Sequence, residues 1–308
     1  MKEKYLINDI CDVGSSKRIY LSEYQANGIP FYRGKEIIEK DSNRDISNEL
    51  FISHERYNEI KEKFGVPVEG DILMTAVGTI GVSWYVNESN FYFKDGNLIW
   101  FKNFKKDKVN SKYLYYIFKS KMFSEIIRNI SIGSTQKAIT IEQVKKIQLN
   151  FPKIDIQNRI VNILDGINDK IRINNEINNN LYEISKQLLL KYLNENKSSD
   201  EINISKFLNI FTGKKNANET SPTGKYKFFS CAPESLLSDT YLCDSAAIIV
   251  AGNGAYTGRT RFYDGKFELY QRTYGLTLKD GFEKNNIYGL YIFMKTIFEP
   301  DKMGGTHG

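Results

Sequence analysis

The residues closest to a catalytic or nucleotide-binding pattern lie near the end of the chain, at Gly252-Asn253-Gly254-Ala255-Tyr256-Thr257-Gly258-Arg259-Thr260. A phosphate-cradling loop needs a fixed glycine spacing followed by lysine. Here the spacing is wrong and Arg259 stands in the lysine position, so the stretch reads as a tight turn between strands. There is no G-x-S-x-G elbow, no H-E-x-x-H pair and no N/D-P-P-Y/F segment of an adenine methyltransferase. Acidic groups such as Glu299-Pro300-Asp301 are isolated, a poor basis for a two-metal site. Cys11, Cys231 and Cys243 have no ligand spacing and cannot all pair, as expected of free thiols in a reducing cytoplasm. With only His54 and His307, a histidine metal site is not expected. What remains is hydrogen bonding and charge, the chemistry of recognition.

The charge is uneven. The formal net charge is +6, yet residues 101–146 alone carry eleven basic side chains against Asp107, Glu125 and Glu142. Interleaved with Tyr and Phe, such an excess suits a polyanion, whose released counterions drive association. A solvated face in a lysine-rich chain would look the same. The 308 residues suggest two domains, and 41% hydrophobic with 13% aromatic content excludes general disorder. No apolar run reaches the length of a membrane span, and the N-terminus MKEKYLIND has no signal-peptide core.

The elements that would position recognising groups fall into three blocks. In residues 1–150, strands are expected at Ile29–Tyr32, Gly70–Thr75, Val82–Val86 and Asn97–Phe101, with the glycine turn Val77–Gly81 between the second and third. Ser111 reads as the N-cap of a helix from Lys112 to about Asn129. A polar loop follows at Ser131–Lys137, then a short helix from Thr140 and an extended exit to Pro152. Tyr32, Phe228 and Phe229 are expected in cores, as strand aromatics usually are.

From Asp155 to about Asn196, apolar residues recur in steps of three and four at Ile156, Ile160, Ile163, Ile167, Ile171, Ile177, Leu181, Ile184 and Leu188, with Asn174 filling the one wide step. This is a helix about 60 Å long that buries one seam against another helix. An asparagine in such a seam can fix register and partner. After it the order of elements starts again. Ile10–Gly14 matches Leu208–Gly213, Gly28–Tyr32 matches Gly224–Phe229, and Gly70–Gly81 matches Cys243–Gly258. Tyr115–Phe118 matches Leu290–Phe293, and Ile132–Thr135 matches Met303–Thr306. The pattern predicts two diverged copies of one domain flanking a spacer.

These residues carry a family resemblance. The run Gly133-Ser134-Thr135-Gln136-Lys137-Ala138-Ile139-Thr140, with Phe151-Pro152, Gln157-Asn158-Arg159-Ile160-Val161, Ile163-Leu164-Asp165 and the Gly70–Gly81 strand and turn, resembles specificity subunits of type I restriction–modification systems. The resemblance spans essentially the whole chain. It implies an α+β fold in which two mixed target-recognition domains, each a twisted sheet with short helices, are joined by one long helix of coiled-coil type. The expected divisions are residues 1–150, 151–197 and 198–308. It further implies a cytoplasmic, non-catalytic reader of bipartite double-stranded DNA. Two adenine methyltransferase subunits and restriction–translocase subunits would dock on it, and S-adenosylmethionine, ATP and magnesium would sit on those partners rather than here. The family also has a second long helix after the second domain, whereas this sequence stops at Gly308. The chain is then either a fragment or a form whose helix seam self-associates or seeks a partner. Two rivals stand beside this reading: a stand-alone restriction endonuclease or methyltransferase, and a coiled-coil assembly protein with incidental DNA affinity.

Reading DNA requires donors and acceptors at base edges, with basic groups on phosphate to position them. The loops that recur in both copies are the expected readers. They supply Thr75, Thr79, Ser134, Thr135, Gln136 and Lys137 in the first copy. In the second they supply Asn253, Tyr256, Thr257, Arg259 and Arg261, with Gln271 and Arg272 nearby. Ile160, Ile163, Ile167, Ile171, Asn174, Ile177, Leu181, Ile184 and Leu188 form the expected partner seam.

Overall fold

The computed structural model describes residues 3–42, 44–131, 138–196 and 203–298. Two compact units emerge, Met1–Lys170 and Ile171–Gly308. The division falls inside the long helix, whose first part packs with the first unit.

In chain order the first unit contains β1 (Glu3–Leu6), α1 (Ile7–Ile10), β2 (Asp12–Gly14), β3 (Tyr24–Gln25), β4 (Ile29–Tyr32), α2 (Gly34–Asp41), β5 (Phe51–Ile52) and α3 (His54–Phe64). It continues with β6 (Ile72–Thr75), β7 (Ser83–Tyr85), β8 (Tyr92–Phe93), β9 (Leu98–Lys102), α4 (Ser111–Phe118), α5 (Lys121–Ile130), α6 (Ile141–Lys145) and β10 (Gln148–Phe151). Its central antiparallel sheet has the order β2-β9-β6-β7. Ile72, Met74, Ile99 and Phe101 point to one face, under Phe118, Phe123 and Ile127. Leu73, Trp84, Leu98 and Trp100 point to the other, under Tyr32, Ile37 and Phe93. That period-two division is why the strands read as continuous apolar runs: both faces are covered. A two-stranded ladder, β1 with β10, ties the start of the unit to its exit.

The expected single helix over 112–129 is two. Asn110, not Ser111, caps α4, its side chain accepting from the amides of Lys112 and Tyr113. Ser120 then caps α5 by accepting from Phe123 N–H. A serine whose hydroxyl competes for backbone amides favours a new start over a continued helix.

The long helix α7 (Ile154–Glu195) is unbroken over 42 residues. The second unit then has β11 (Leu208–Thr212), β12 (Tyr226–Phe229), β13 (Leu236–Ser238), β14 (Cys243–Ala251), β15 (Thr260–Leu269), β16 (Thr273–Leu278) and α8 (Asn286–Ile297). Its sheet order is β11-β16-β14-β15-β12-β13. The first four strands repeat β2-β9-β6-β7, again all antiparallel. β12 lies parallel to β15 as β4 lies parallel to β8, so one long strand in the second unit does the work of β7 and β8 in the first. The ladders place Ile210, not Thr212, opposite Val13 in this correspondence, a two-residue shift from the sequence match that paired Gly14 with Gly213. Tyr32, Phe228 and Phe229 are all core residues. The proposed match at Met303–Thr306 lies outside the described residues.

Candidate nucleic-acid interface

The two recurring turns share their closing backbone hydrogen bonds. In the first unit Thr75 N–H donates to Val82 O (2.9 Å) and Gly81 N–H to Thr75 O (2.9 Å). In the second, Ala251 N–H donates to Arg259 O (3.0 Å) and Gly258 N–H to Ala251 O (2.8 Å). Gly78 and Gly254 have φ of +76° and +78°, and Gly81 and Gly258 both have +85°. These left-handed positions explain why glycine stands at each. The second turn is one residue longer.

Side chains on the turns differ. Thr75 is 1% exposed, and its hydroxyl donates to Thr79 O (2.5 Å) and accepts from Val82 N–H (3.0 Å). It closes the turn from inside and presents nothing to a duplex, whereas Thr79 is exposed. Ser134, Thr135, Gln136 and Lys137 lie outside the described residues. Their flank is fixed, however: Ala138 bridges Val77, and Ile139 N–H donates to Ala76 O (3.0 Å), so the loop re-enters beside the turn.

The sequence reading missed the neighbours of this turn. An open cleft runs from Thr79 and Asn97 to Arg33, Lys35 and Arg44, contributed by the segment before α2, by α2 and by the loop after it. Arg33 is held by Glu36, whose carboxylate accepts from its guanidinium (2.7 Å) and its backbone N–H (2.7 Å). Burial raises the Glu36 pKa, but the hydrogen bonds from Arg33 outweigh it and the net shift is downward. No residue spacing signals this set; the chain folding α2 against β6 and β7 makes it.

In the second unit Tyr256 and Asn253 are exposed, and the Arg259 guanidinium stacks 4.1 Å above the Tyr256 ring. Thr257 Oγ1 donates to Gly254 O (2.7 Å). Gly252 N–H donates to Arg272 O (3.0 Å), which joins the Gln271–Arg272 turn to this loop, and Gln271 Nε2 donates to Asn216 Oδ1 (2.9 Å). Arg261 behaves differently. Its guanidinium donates to the carbonyls of Ser230, Ala232 and Pro233 and lies over the Phe229 ring. Burial lowers its pKa, and its two terminal nitrogens pin the 230–233 loop while Nε is buried without a partner among the described residues.

The basic run at 101–146 is partly neutralised within the first unit. Lys112 pairs with Asp165 (2.8 Å), Lys119 with Asp41 (2.5 Å), and Lys102 sits 3.8 Å over the Trp100 ring.

The helix α7 shows two faces. Ile163, Ile167, Ile171, Ile177, Leu181, Ile184 and Leu188 are between 48% and 63% exposed, and Asn174 is exposed among them; Ile160 is half-buried. The docked face is mostly polar. Gln157 is fully buried, donating to Lys108 O and Pro152 O (both 2.8 Å) and accepting from Asn110 N–H (3.0 Å). Asp165 accepts from Tyr116 (2.5 Å), which accepts from Asn168 (2.9 Å). Burial and then the Asp165 hydrogen bond push the Tyr116 hydroxyl up to about 12. Gln157, Val161, Asp165 and Asn168 follow helical steps on one face, but the polarity of three of them hid that face in the sequence.

Among the described residues no cluster of His, Cys, Asp and Glu could hold a metal, and no helix is long and apolar enough to cross a membrane. A doubled glycine turn on a doubled sheet, with an intervening helix, defines a class of recognition scaffold. The family model for the type I restriction modification DNA specificity domain matches residues 2–183, more than half of the sequence, and the chain belongs to that family. It is 31% identical over 194 residues to a Haemophilus influenzae protein described as a type I restriction enzyme specificity subunit, covering 60% of this chain and 47% of that one. It is 28% identical over 187 residues to a type I restriction enzyme specificity subunit of Methanocaldococcus jannaschii, covering 59% and 41%. The chain thus matches somewhat under half the length of these relatives. The crystal structure of an S subunit from M. genitalium shares the fold, with a TM-score of 0.59 at 17% identity over 98% of this chain and 78% of that one.

Proposed function

We propose that this chain reads double-stranded DNA as the specificity subunit of a type I restriction–modification complex, each unit reading one half of a bipartite target. The observation that carries the reading is the pair of turns that share two cross-strand hydrogen bonds and two positive-φ glycines but differ in side chains. A scaffold that keeps its backbone and varies its tips is suited to reading different sequences. Recognition domains at 1–150 and 198–308 would be joined by a spacer at 151–197. Base-edge contacts fall to Thr79, Ser134, Thr135, Gln136 and Lys137, and to Asn253, Tyr256, Thr257, Arg259, Gln271 and Arg272. Arg33, Lys35 and Arg44 position phosphate. Thr75 and Arg261 are left out, since the Thr75 hydroxyl is already used and the Arg261 guanidinium is turned onto the 230–233 carbonyls. The exposed stripe on α7 pairs with another helix, and adenine methyltransferase and restriction–translocase subunits supply S-adenosylmethionine, ATP and magnesium.

The test begins with the methylated adenines of the host genome, which define the two half-sites. Fluorescence anisotropy of the methyltransferase-bound chain on that duplex should then show Arg259→Ala weakening binding by about 1–3 kcal/mol. The loss should vanish when the half-site read by the second unit is scrambled. Equal weakening on random duplex would reject base reading by Arg259.

A further inference from the structure

Each glycine turn is tied to a second turn across its sheet, and one position there carries a different chemistry in each unit. The ladders make Ala251, Thr273 and Tyr274 the counterparts of Thr75, Leu98 and Ile99. Asn97 and Arg272, each one residue before its strand, are therefore counterparts too. The next hydrogen bond fixes that register: Ala76 N–H donates to Asn97 O (2.8 Å) and Gly252 N–H to Arg272 O (3.0 Å). In both units the main chain of this residue makes the structural bond, which leaves its side chain free to differ. Asn97 lines the open cleft with Thr79, Arg33, Lys35 and Arg44. Glu39 lines it as well, but it is 8% exposed and accepts from the Ser47 hydroxyl. Arg272 is exposed, and its carbonyl joins it to the loop that carries Arg259.

We propose, resting on the DNA-reading role above, that Asn97 and Arg272 are one specificity position in two units, Asn97 reading adenine in one half-site and Arg272 guanine in the other. The three cations of the cleft are suited to phosphate, which positions a duplex without reading it. Asn97 beside them carries a donor and an acceptor on one amide, the pair that adenine matches with N7 and its N6 amino group. Arginine matches guanine at O6 and N7 in the same bidentate way. Exchanging one for the other at a position held by the same main-chain bond keeps the scaffold and changes the base edge it fits.

The test selects bound duplexes from a random-sequence pool with the full chain in complex with its methyltransferase subunits, and sequences them. The parent should yield two half-sites. Asn97→Arg should replace adenine by guanine at one position of one half-site, with a change in preference of at least about tenfold, and leave the other half-site as it was. Arg272→Asn should make the reverse exchange, guanine to adenine, at one position of the other half-site. Asn97→Ala and Arg272→Ala guard against a disturbed turn: each should abolish the preference at its own position while keeping the parent circular dichroism melt. Either exchange leaving every position of the parent's consensus intact, or altering both half-sites, overturns the proposal while the DNA-reading role stands. Uniform weakening on all duplexes, random ones included, would place these side chains on phosphate and overturns it as well. A parent that selects no sequence overturns the DNA-reading role itself, and this position with it.

Discussion

The first and second units run the same four strands in the same order, yet they close their sheets by different means. On one face the first unit has α4, α5 and α6, and among the described residues the second has α8. On the opposite face α2 lies over Trp84 in the first unit, while in the second the counterpart of Trp84 is Arg261, held by backbone carbonyls. What both keep is the backbone of the turn: two positive-φ glycines and two cross-strand hydrogen bonds. The lesson is that the loop geometry depends on main-chain bonds and glycine, so its side chains and its supporting layers are free to differ.

The comparison breaks first, and most visibly, in the core. Ile99→Ala should destabilise the first unit by about 2–5 kcal/mol, because Ile99 is buried under the helices and the cavity cannot collapse. Its counterpart change, Tyr274→Ala, should cost below about 1 kcal/mol in the second unit, since that side chain is half in solvent. Both tryptophans, Trp84 and Trp100, lie in the first unit, so urea denaturation followed by tryptophan fluorescence reads that unit alone. Hydrogen exchange in β14 and β16 reads the other. Equal costs would mean the two faces are equally closed.

Next in size is the docking of α7 on the first unit. Gln157→Ala leaves the Lys108 and Pro152 carbonyls and the Asn110 amide without their partner. Each such loss costs about 1–3 kcal/mol when buried, without simple addition, and a total of about 2–3 kcal/mol is expected. The signature is faster exchange at residues 157–168 with unchanged protection in β14–β16. Uniform loss across both units would show that Gln157 supports more than its own junction.

Much of this organisation was legible in the sequence, and the gaps have physical causes. Strands buried on both faces announce themselves as apolar runs between glycines, so β4, β6, β7, β9 and the repeat were readable. The exposed stripe of α7 was readable because helical periodicity is unambiguous over many turns. Its docked face was not, since Gln157, Asp165 and Asn168 look like solvent residues until Asn110, Lys112 and Tyr116 are folded opposite them. The same holds at the two glycine turns. Thr75 and Arg261 have the right chemistry for DNA, but the Thr75 hydroxyl is taken by the turn and the Arg261 guanidinium by the 230–233 carbonyls, and the fold brings Arg33 and Lys35 to the cleft from a segment with no signal in the sequence.

A pH effect separates the two sheets more gently. Asp71, at the head of β6, accepts from Trp100 Nε1 (2.8 Å) and Val68 N–H (3.1 Å) through one oxygen, and burial raises its pKa above the ordinary carboxylate value. An acid whose folded pKa lies above its unfolded value of about 3.9 favours folding while protonated, and that advantage is lost as pH rises through the folded pKa. Asp71→Asn can keep both hydrogen bonds through its amide oxygen and removes the titration. Relative to the parent, it should therefore gain stability between pH 4 and pH 7, by about 1.4 kcal/mol for every tenfold by which folding tightens the carboxylate's hold on its proton. Fluorescence-detected urea midpoints at the two pH values check this, and a constant difference between the proteins would place the titration elsewhere.

The smallest expected effect bears most directly on the turns. Thr75 in the first unit occupies the place of Ala251 in the second, and the second turn closes with the same main-chain bonds and no hydroxyl. In the first, that hydroxyl bridges Thr79 O and Val82 N–H. Thr75→Ala should then cost only about 1 kcal/mol, the net worth of such a hydrogen bond, and quicken exchange at Gly81 and Val82 while leaving β6 and β9 protected. On the proposed function, DNA affinity at the first half-site should fall through the loosened Thr79 tip, whose side chain is exposed. If the substitution instead collapsed protection in β6, the turn would be held by its side chain rather than by glycine and backbone, and the likeness between the two units would be superficial.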